Sequence, residues 1–354
     1  MLLRAAKFLT ISLLILVTYL LLWPVPFNPV VHTLGAIPDR TGIYAENTAL
    51  SGVEHLISGV EKPEDVTQGP SGYFYSGLED GRIVRFKDDG RAPETFVETG
   101  GRPLGMQFDS KGNLIVADAT RGLLSISSAK KIKVLVDTFD GKKLLFVDDL
   151  DITSDGKIWF SDASQKFGLP HFILEAWETR PTGRLFSFDP STGDTEMHLD
   201  NLMFANGVAL GPDEAYVLVN ETFRMRTLRL RLKGERAGQS ETFMDGLPGF
   251  PDNLSYNDDG MFWMALTGPR MEIAESLWTG TFLRKVLYRL PSSLQGAEQP
   301  PFGWVLGVNL EGKVVHNLQD PSGTYGTITS VNEFDGQLYL GSVAMTSVGR
   351  FGKP

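Results

Sequence analysis

The feature that most constrains this chain is one turn that recurs six times. Each copy joins a strand-like run to a second apolar strand through a tight Gly- or Asp-containing turn. The copies are Gly69–Tyr75, Asp109–Val116, Thr153–Phe160, Gly211–Leu218, Asn257–Trp263 and Glu333–Leu340. Their turn positions fall at 72, 112, 156, 214, 260 and 336, in steps of 40, 44, 58, 46 and 76 residues. A repeat of about 40–50 residues that holds several short strands indicates a β-propeller. Six turns predict six blades, so the expected fold class is an all-β, six-bladed β-propeller over residues 52–354. Third strands read at Ile83–Phe86, Leu123–Ile126, Arg184–Phe188 and Thr227–Leu232. After Val348–Phe351 no chain remains for a fourth strand in the last blade, and Glu54–Gly59 is placed to supply it. That pairing closes the ring and leaves no open edge. An antiparallel sandwich with coincidental turns is the competing reading, and six copies in register disfavour it.

The N-terminus carries a different signal. Phe8–Trp23 is a 16-residue run without charge, preceded by Arg4 and Lys7. It is slightly short for a span, but Val25 and Phe27 extend it, and Tyr19 and Trp23 suit the headgroup level. A cleaved signal peptide needs small residues before the cut, and Leu20–Pro24 has none. Residues 1–27 are therefore expected to form an uncleaved transmembrane helix. The basic residues place everything after residue 27 outside the cytosol, in a periplasm, a lumen or at a cell surface. Residues 28–51 have mixed composition and read as a tether.

Composition narrows the chemistry. Cysteine is absent, which removes disulfide frameworks, thiol nucleophiles and Cys-ligated zinc. A net charge of −10 argues against nucleic acid as a partner, since phosphate contacts need clustered Lys and Arg. No Gly-x-Ser-x-Gly elbow, His-Glu-x-x-His pair or phosphate-binding loop is present.

The repeat allows residues to be compared between blades. Eight positions before each turn, at the axial start of the first strand, stand Glu64, Leu104, Asp148, Asn206, Asp252 and Ile328. The next position holds Asp65, Gly105, Asp149, Gly207, Asn253 and Thr329. Four of the six axial side chains carry oxygen, and three of those are carboxylates. Carboxylates converging on one channel shift each other's pKa values or take a cation. With hard oxygen donors, Ca²⁺ fits best, ahead of Mg²⁺ and Mn²⁺. The five histidines (32, 55, 171, 198 and 316) occupy none of these positions, which disfavours Zn²⁺. A wet channel without an ion is the competing reading.

Six stretches carry a family resemblance. They are Phe146–Leu150, Phe204–Val208, Pro248–Leu254, Lys62–Asp65, Gly101–Gly105 and Trp159–Asp162. Over about residues 50–352 the chain resembles the strictosidine synthase-like family, in particular its membrane-anchored branch, the adipocyte plasma membrane-associated protein type. That family is related to paraoxonases and gluconolactonases. The resemblance implies a six-bladed propeller with an axial Ca²⁺ and hydrolysis of aryl esters or lactones. It carries the metal ligands onto Glu64, Asp148, Asn206 and Asp252, with Asn253 adjacent. Three departures matter. Relatives more often have Asn at position 148, paraoxonases have His where Leu104 stands, and Gly323–Asn332 holds no carboxylate. The last excludes the amine–aldehyde condensation of the synthase.

The expected mechanism is metal-assisted hydrolysis of a small apolar ester or lactone, with Asp252 as general base and Glu64 as second choice. The competing view makes both residues ligands only. Two insertions, Ala163–Gly183 and about Thr267–Pro301, are rich in aromatic and aliphatic residues and read as a lid. Membrane contact or local packing are their other readings. The alternative function is a non-catalytic propeller that binds a ligand or a partner protein. In a eukaryotic host, Asn220-Glu221-Thr222 is a glycosylation acceptor.

Overall fold

The computed structural model describes residues 2–295 and 299–354. Residues 296–298, part of the second insertion, lie outside the described residues. Among the described residues are six four-stranded antiparallel sheets, whose strands are each labelled A to D from the axis outward. The A strands are Val66–Gln68, Pro103–Phe108, Val147–Ile152, Ala205–Leu210, Gly249–Tyr256 and Ile328–Phe334. Each adjoins the A strand of the next blade around the ring. The sixth sheet runs Glu54–Ser58, Ser347–Gly352, Gln337–Ser342, Ile328–Phe334, so the first strand of the chain closes the ring on the last. The buried Tyr325 hydroxyl locks this seam. It donates toward the carbonyls of Leu340 (2.7 Å) and Ser347 (3.1 Å) and accepts from the Gly349 amide (2.9 Å).

The recurring turn has one conformational demand. In five copies a glycine takes φ between 73° and 92° (Gly72, Gly112, Gly156, Gly260, Gly336), a region that costs other residues energy. Blade four departs, with Asp213 and Glu214 at φ 54° and 53°. Seams between blades are filled from both sides. Ile115, Leu123, Leu150, Phe160 and Phe186 pack between blades two and three, and Trp263, Val305, Ile328 and Leu340 between blades five and six. Each such buried side chain contributes about 1.5–3 kcal/mol of transfer free energy.

The segment read as a tether is partly fixed. Asn47 donates to the Asn317 carbonyl (3.0 Å) and accepts from the Gln319 amide (3.1 Å), while Leu50 is fully buried. Arg40 lies against the rings of Phe302 and Trp304. The outer strand of blade five offers unpaired backbone groups, and residues 40–51 satisfy them.

A second compact unit gathers the N-terminal residues through Leu34 with Ile173–Arg180 and the described part of Met271–Gln299. It contains the helices α1 (Leu2–Leu22), α2 (Leu174–Glu178), α3 (Glu272–Trp278) and α4 (Phe282–Tyr288). Residues 27–32 bind both insertions. The Val30 amide donates to the Glu178 carbonyl (2.9 Å) and the His32 amide to the Trp278 carbonyl (2.9 Å). Phe27 packs against Trp177 and Tyr288. The buried Arg284 donates to the Trp177 carbonyl (2.9 Å) and the Thr179 hydroxyl (2.8 Å). Arg289 donates to the Leu20 and Trp23 carbonyls at the end of α1, the unpaired acceptors of a helix C-terminus. Among the described residues α1 is the one helix long and apolar enough to cross a membrane.

Candidate metal centre and active site

The axial positions counted from the repeat lie within three residues of the starts of the A strands, from two before (Glu64) to three after (Asp252). Their strand starts are held by a device the sequence reading missed. In blades two, three and four an acid ends strand B: Asp118, Asp162 and Glu221. Each accepts the backbone N–H at the start of its own A strand, from Arg102 (3.0 Å), Phe146 (2.9 Å) and Met203 (2.7 Å). Asp162 is in turn paired with the buried Arg184 at 2.5 Å. The signal was available in the repeat, six or seven residues after each turn.

The second axial layer stitches neighbouring blades. Asp65 accepts from the Met106 amide (2.9 Å) and the Asn332 side chain (2.9 Å), and Asp149 accepts from the Val208 amide (2.7 Å). The intervening glycines make room for this. A Cβ on Gly105 would stand 2.2 Å from Asp149 Oδ1, and one on Gly207 2.5 Å from the Asp252 carbonyl oxygen. The alternation of large and small residues at these positions is therefore a packing requirement.

The structure brings the sequence-derived set together. Glu64, Asp148, Asn206, Asp252 and Asn253 are all buried, between 2% and 8% exposed. Asn253 donates to Glu64 Oε1 (3.2 Å), and the Asn206 side chain bonds to the Asp252 carboxylate. Burial pushes the Glu64 and Asp148 carboxyls well up, reinforced for both by Asp252 and opposed by the Arg102 charge. Burial pushes Asp252 up to about 7, against the bond from Asn206. Leu104 and Ile328 complete the ring as buried apolar residues.

Three acceptor oxygens here have no hydrogen-bond partner although fully buried: Glu64 Oε2, Asn206 Oδ1 and Asn253 Oδ1. Buried oxygens are rarely left so. Crowded carboxylates and orphaned amide oxygens are the donor chemistry of a hard divalent cation. Among the described residues no group of three or more His, Asp and Glu side chains could by itself hold a metal ion. A cation at this place must therefore draw on the amide oxygens as well. Asn253 also lines a cavity of about 870 Å³ that includes Asp65, Gln107, Asp149, Asp151 and Asn332, whereas the other four residues do not line it.

Asn220 is not a glycosylation acceptor in this fold. It is fully buried in strand B of blade four, and its side chain bonds to the Asp252 carbonyl and the Thr227 hydroxyl. Both ends of the amide are consumed in packing.

The comparisons with known proteins agree with this architecture. Residues 148–235 match the model of the strictosidine synthase family, and residues 42–86 match its strictosidine synthase-like N-terminal model. Strictosidine synthase-like 4 of Arabidopsis thaliana is 36% identical over 310 residues, 85% of this chain and 82% of that protein. The adipocyte plasma membrane-associated protein of Danio rerio is 33% identical over 369 residues, 96% and 87% of the two chains. A gluconolactonase from Xanthomonas campestris shares the fold at TM-score 0.63 and 15% identity, covering 85% of this chain and 89% of that one. A calcium-binding regucalcin from Agrobacterium tumefaciens does so at 0.59 and 12%, covering 84% and 91%. By sequence, and with the propeller to match, this chain belongs to the strictosidine synthase-like family.

Proposed function

We propose that this protein is a membrane-tethered, Ca²⁺-dependent hydrolase of apolar esters or lactones. The observation that carries the reading is the axial set, where three orphaned oxygens stand among carboxylates raised by burial. Glu64, Asp148, Asn206, Asp252 and Asn253 are the residues that would hold the cation. A bound Ca²⁺ supplies a Lewis acid for the substrate carbonyl and its developing oxyanion.

Asp252 is the general base of this reading. Burial pushes its carboxyl up to about 7, and a cation held at the same site would lower it toward the ionised form that a general base needs. The Asn206 amide orients it. Glu64, bonded to Asn253, acts mainly as a ligand. The apolar side chains of Leu104, Phe146, Ala163 and Phe204 form one cluster beside these strand starts. The fold shared with the gluconolactonase and the calcium-binding regucalcin supports the reading. α1 serves as a single-pass anchor with the propeller extracytosolic, in keeping with the membrane association named for the Danio rerio relative.

The test is turnover by the purified full-length chain against phenyl acetate and a panel of γ- and δ-lactones. Activity lost with EDTA and regained with Ca²⁺ is the expected result. A protein that binds Ca²⁺ but turns over none of these substrates is instead a non-catalytic binding propeller.

A further inference from the structure

The repeat reveals a third layer, two residues before each axial position: Lys62, Arg102, Phe146, Phe204, Phe250 and Gly326. Two neighbouring blades contribute cations and the next three contribute phenylalanines. The rings form a wall. Phe146 and Phe204 meet edge to face at 5.4 Å, and Phe223 joins Phe204 (5.2 Å) to Phe250 (6.3 Å).

The cationic side is not symmetrical. Lys62 is paired with Glu79. Arg102 is 4% exposed, and its Nη2 donates to the Lys62 carbonyl at 2.9 Å. Its Nη1 is buried without an acceptor. Its charge is felt by Glu64 in blade one and Asp148 in blade three, the axial groups on either side of its own blade. Blade two's own axial residue is Leu104, which offers no oxygen. A guanidinium edge thus lies unsatisfied beside Leu104, one of the two axial positions, with Ile328, that offer no side-chain oxygen.

We propose that this end of the channel binds an amphipathic carboxylate, with the acid group at Arg102 Nη1 and the apolar body on the Phe146–Phe204–Phe250 wall. A guanidinium prefers a carboxylate to a neutral carbonyl because both N–H groups are charge-assisted donors. Arg102 feels Glu64, Glu79, Asp118 and Asp148, and Lys62 answers Glu79; a divalent cation at the orphaned oxygens would offset the axial carboxylates and leave the Arg102 edge free for an anion. The proposal rests on the axial set described above but not on its catalysing anything. In a hydrolase the ligand would be the acid released from the substrate, or a substrate carrying a second acid group.

Calorimetry on the full-length chain in nanodiscs, with Ca²⁺ present, tests this using 4-phenylbutyrate and its neutral isostere 4-phenylbutyramide. The wild type should prefer the carboxylate by about ten- to a hundredfold, the worth of a charge-assisted hydrogen bond. Arg102→Met should bring the ratio near one. Arg102→Lys, which keeps the charge but loses the fork, should retain part of it and remains informative if the Met variant does not fold. Phe204→Ala should weaken both ligands equally and leave the ratio unchanged. No preference in the wild type, or a preference that survives in a folded Arg102→Met protein, overturns the proposal. Carboxylate preference without turnover removes the hydrolase and leaves this inference standing; turnover without preference does the reverse.

Discussion

Gly207→Ala is the sharpest perturbation the structure offers, because it reaches the axial site without changing the side chain of any candidate ligand. A methyl carbon at Gly207 would stand 2.5 Å from the Asp252 carbonyl oxygen, 2.6 Å from Asn253 Cα and 2.7 Å from the Leu254 amide nitrogen. Comfortable contact needs about 3.5–4.0 Å, so blade five's A strand must retreat by about 1 Å. All three atoms are backbone, and no rotamer change relieves them. Overpacking of this kind costs about 1–3 kcal/mol, which lowers the melting temperature by about 2–10 °C in a chain of this size. The strand that moves carries Asp252 and Asn253. A misplacement of about 1 Å at a reacting group costs on the order of 10²-fold in turnover, and Ca²⁺ affinity should fall with it. Gly52→Ala is the control, since nothing lies within 4 Å of its added carbon. Thermal denaturation, Ca²⁺ titration and esterase turnover on both variants make the assay. A Gly207→Ala protein that melts, binds Ca²⁺ and turns over like the control would refute the argument that blade spacing positions the site.

Four other outcomes are expected. Asp252→Asn keeps an oxygen donor but not a base, so turnover at saturating Ca²⁺ should fall by about 10²–10⁴-fold, whereas Glu64→Gln should weaken Ca²⁺ binding more than turnover; equal kcat in wild type and Asp252→Asn rules out the base assignment. Elemental analysis should find about one Ca²⁺ per chain, and its removal by EDTA should lower the melting temperature through loss of binding energy; an unchanged melting curve counts against the site. Asp151, which lines the cavity, has its carboxyl raised to about 6, chiefly by burial. A raised acid favours the folded state below its unfolded pKa and loses that contribution as pH rises through about 6. Relative to wild type, Asp151→Asn should therefore gain about 1 kcal/mol between pH 4 and pH 8, discounted for its partial contact with water, on top of a pH-independent cost where the amide nitrogen meets the Leu210 or Ile152 backbone N–H. A reporter fused after Pro354 should be extracytosolic and the mature chain should begin before residue 24; a soluble form starting near residue 24 would instead mark a signal peptide.

What the sequence made legible was whatever repeats. The turn glycines recur because the same φ is needed in each blade, and counting back from them located Glu64, Asp148, Asn206 and Asp252 without any contact information. The closing strand Glu54–Ser58 was also legible, since a ring with one strand missing must borrow it. The packing of residues 40–51 was not. Asn47 bonds to the edge of a strand some 270 residues away, and no local pattern encodes such a pairing. The gathering of both insertions around residues 27–32 was hidden for the same reason: Arg284 reads as an ordinary helix arginine until its acceptors, the Trp177 carbonyl and Thr179 hydroxyl, are known.

Arg102 shows where reading by repeats stops. Its own blade supplies Leu104 to the axis, so a search for oxygen ligands passes over blade two as a gap. The gap has content only in relation to its neighbours. A cation buried between Glu64 and Asp148 reduces their mutual repulsion, and Asp148 adds a charge that an Asn would not. Arg102→Met should therefore raise the carboxyls of Glu64 and Asp148 further, so that Ca²⁺ binding becomes more steeply dependent on pH: weaker where protons hold the carboxyls and tighter where they are ionised. Asp148→Asn in the same chain should flatten that dependence, because it removes one of the carboxyls Arg102 had balanced. Ca²⁺ titration of the two single variants and the double variant across pH measures the coupling. Strictly additive effects would mean that Arg102 and Asp148 do not share a charge balance.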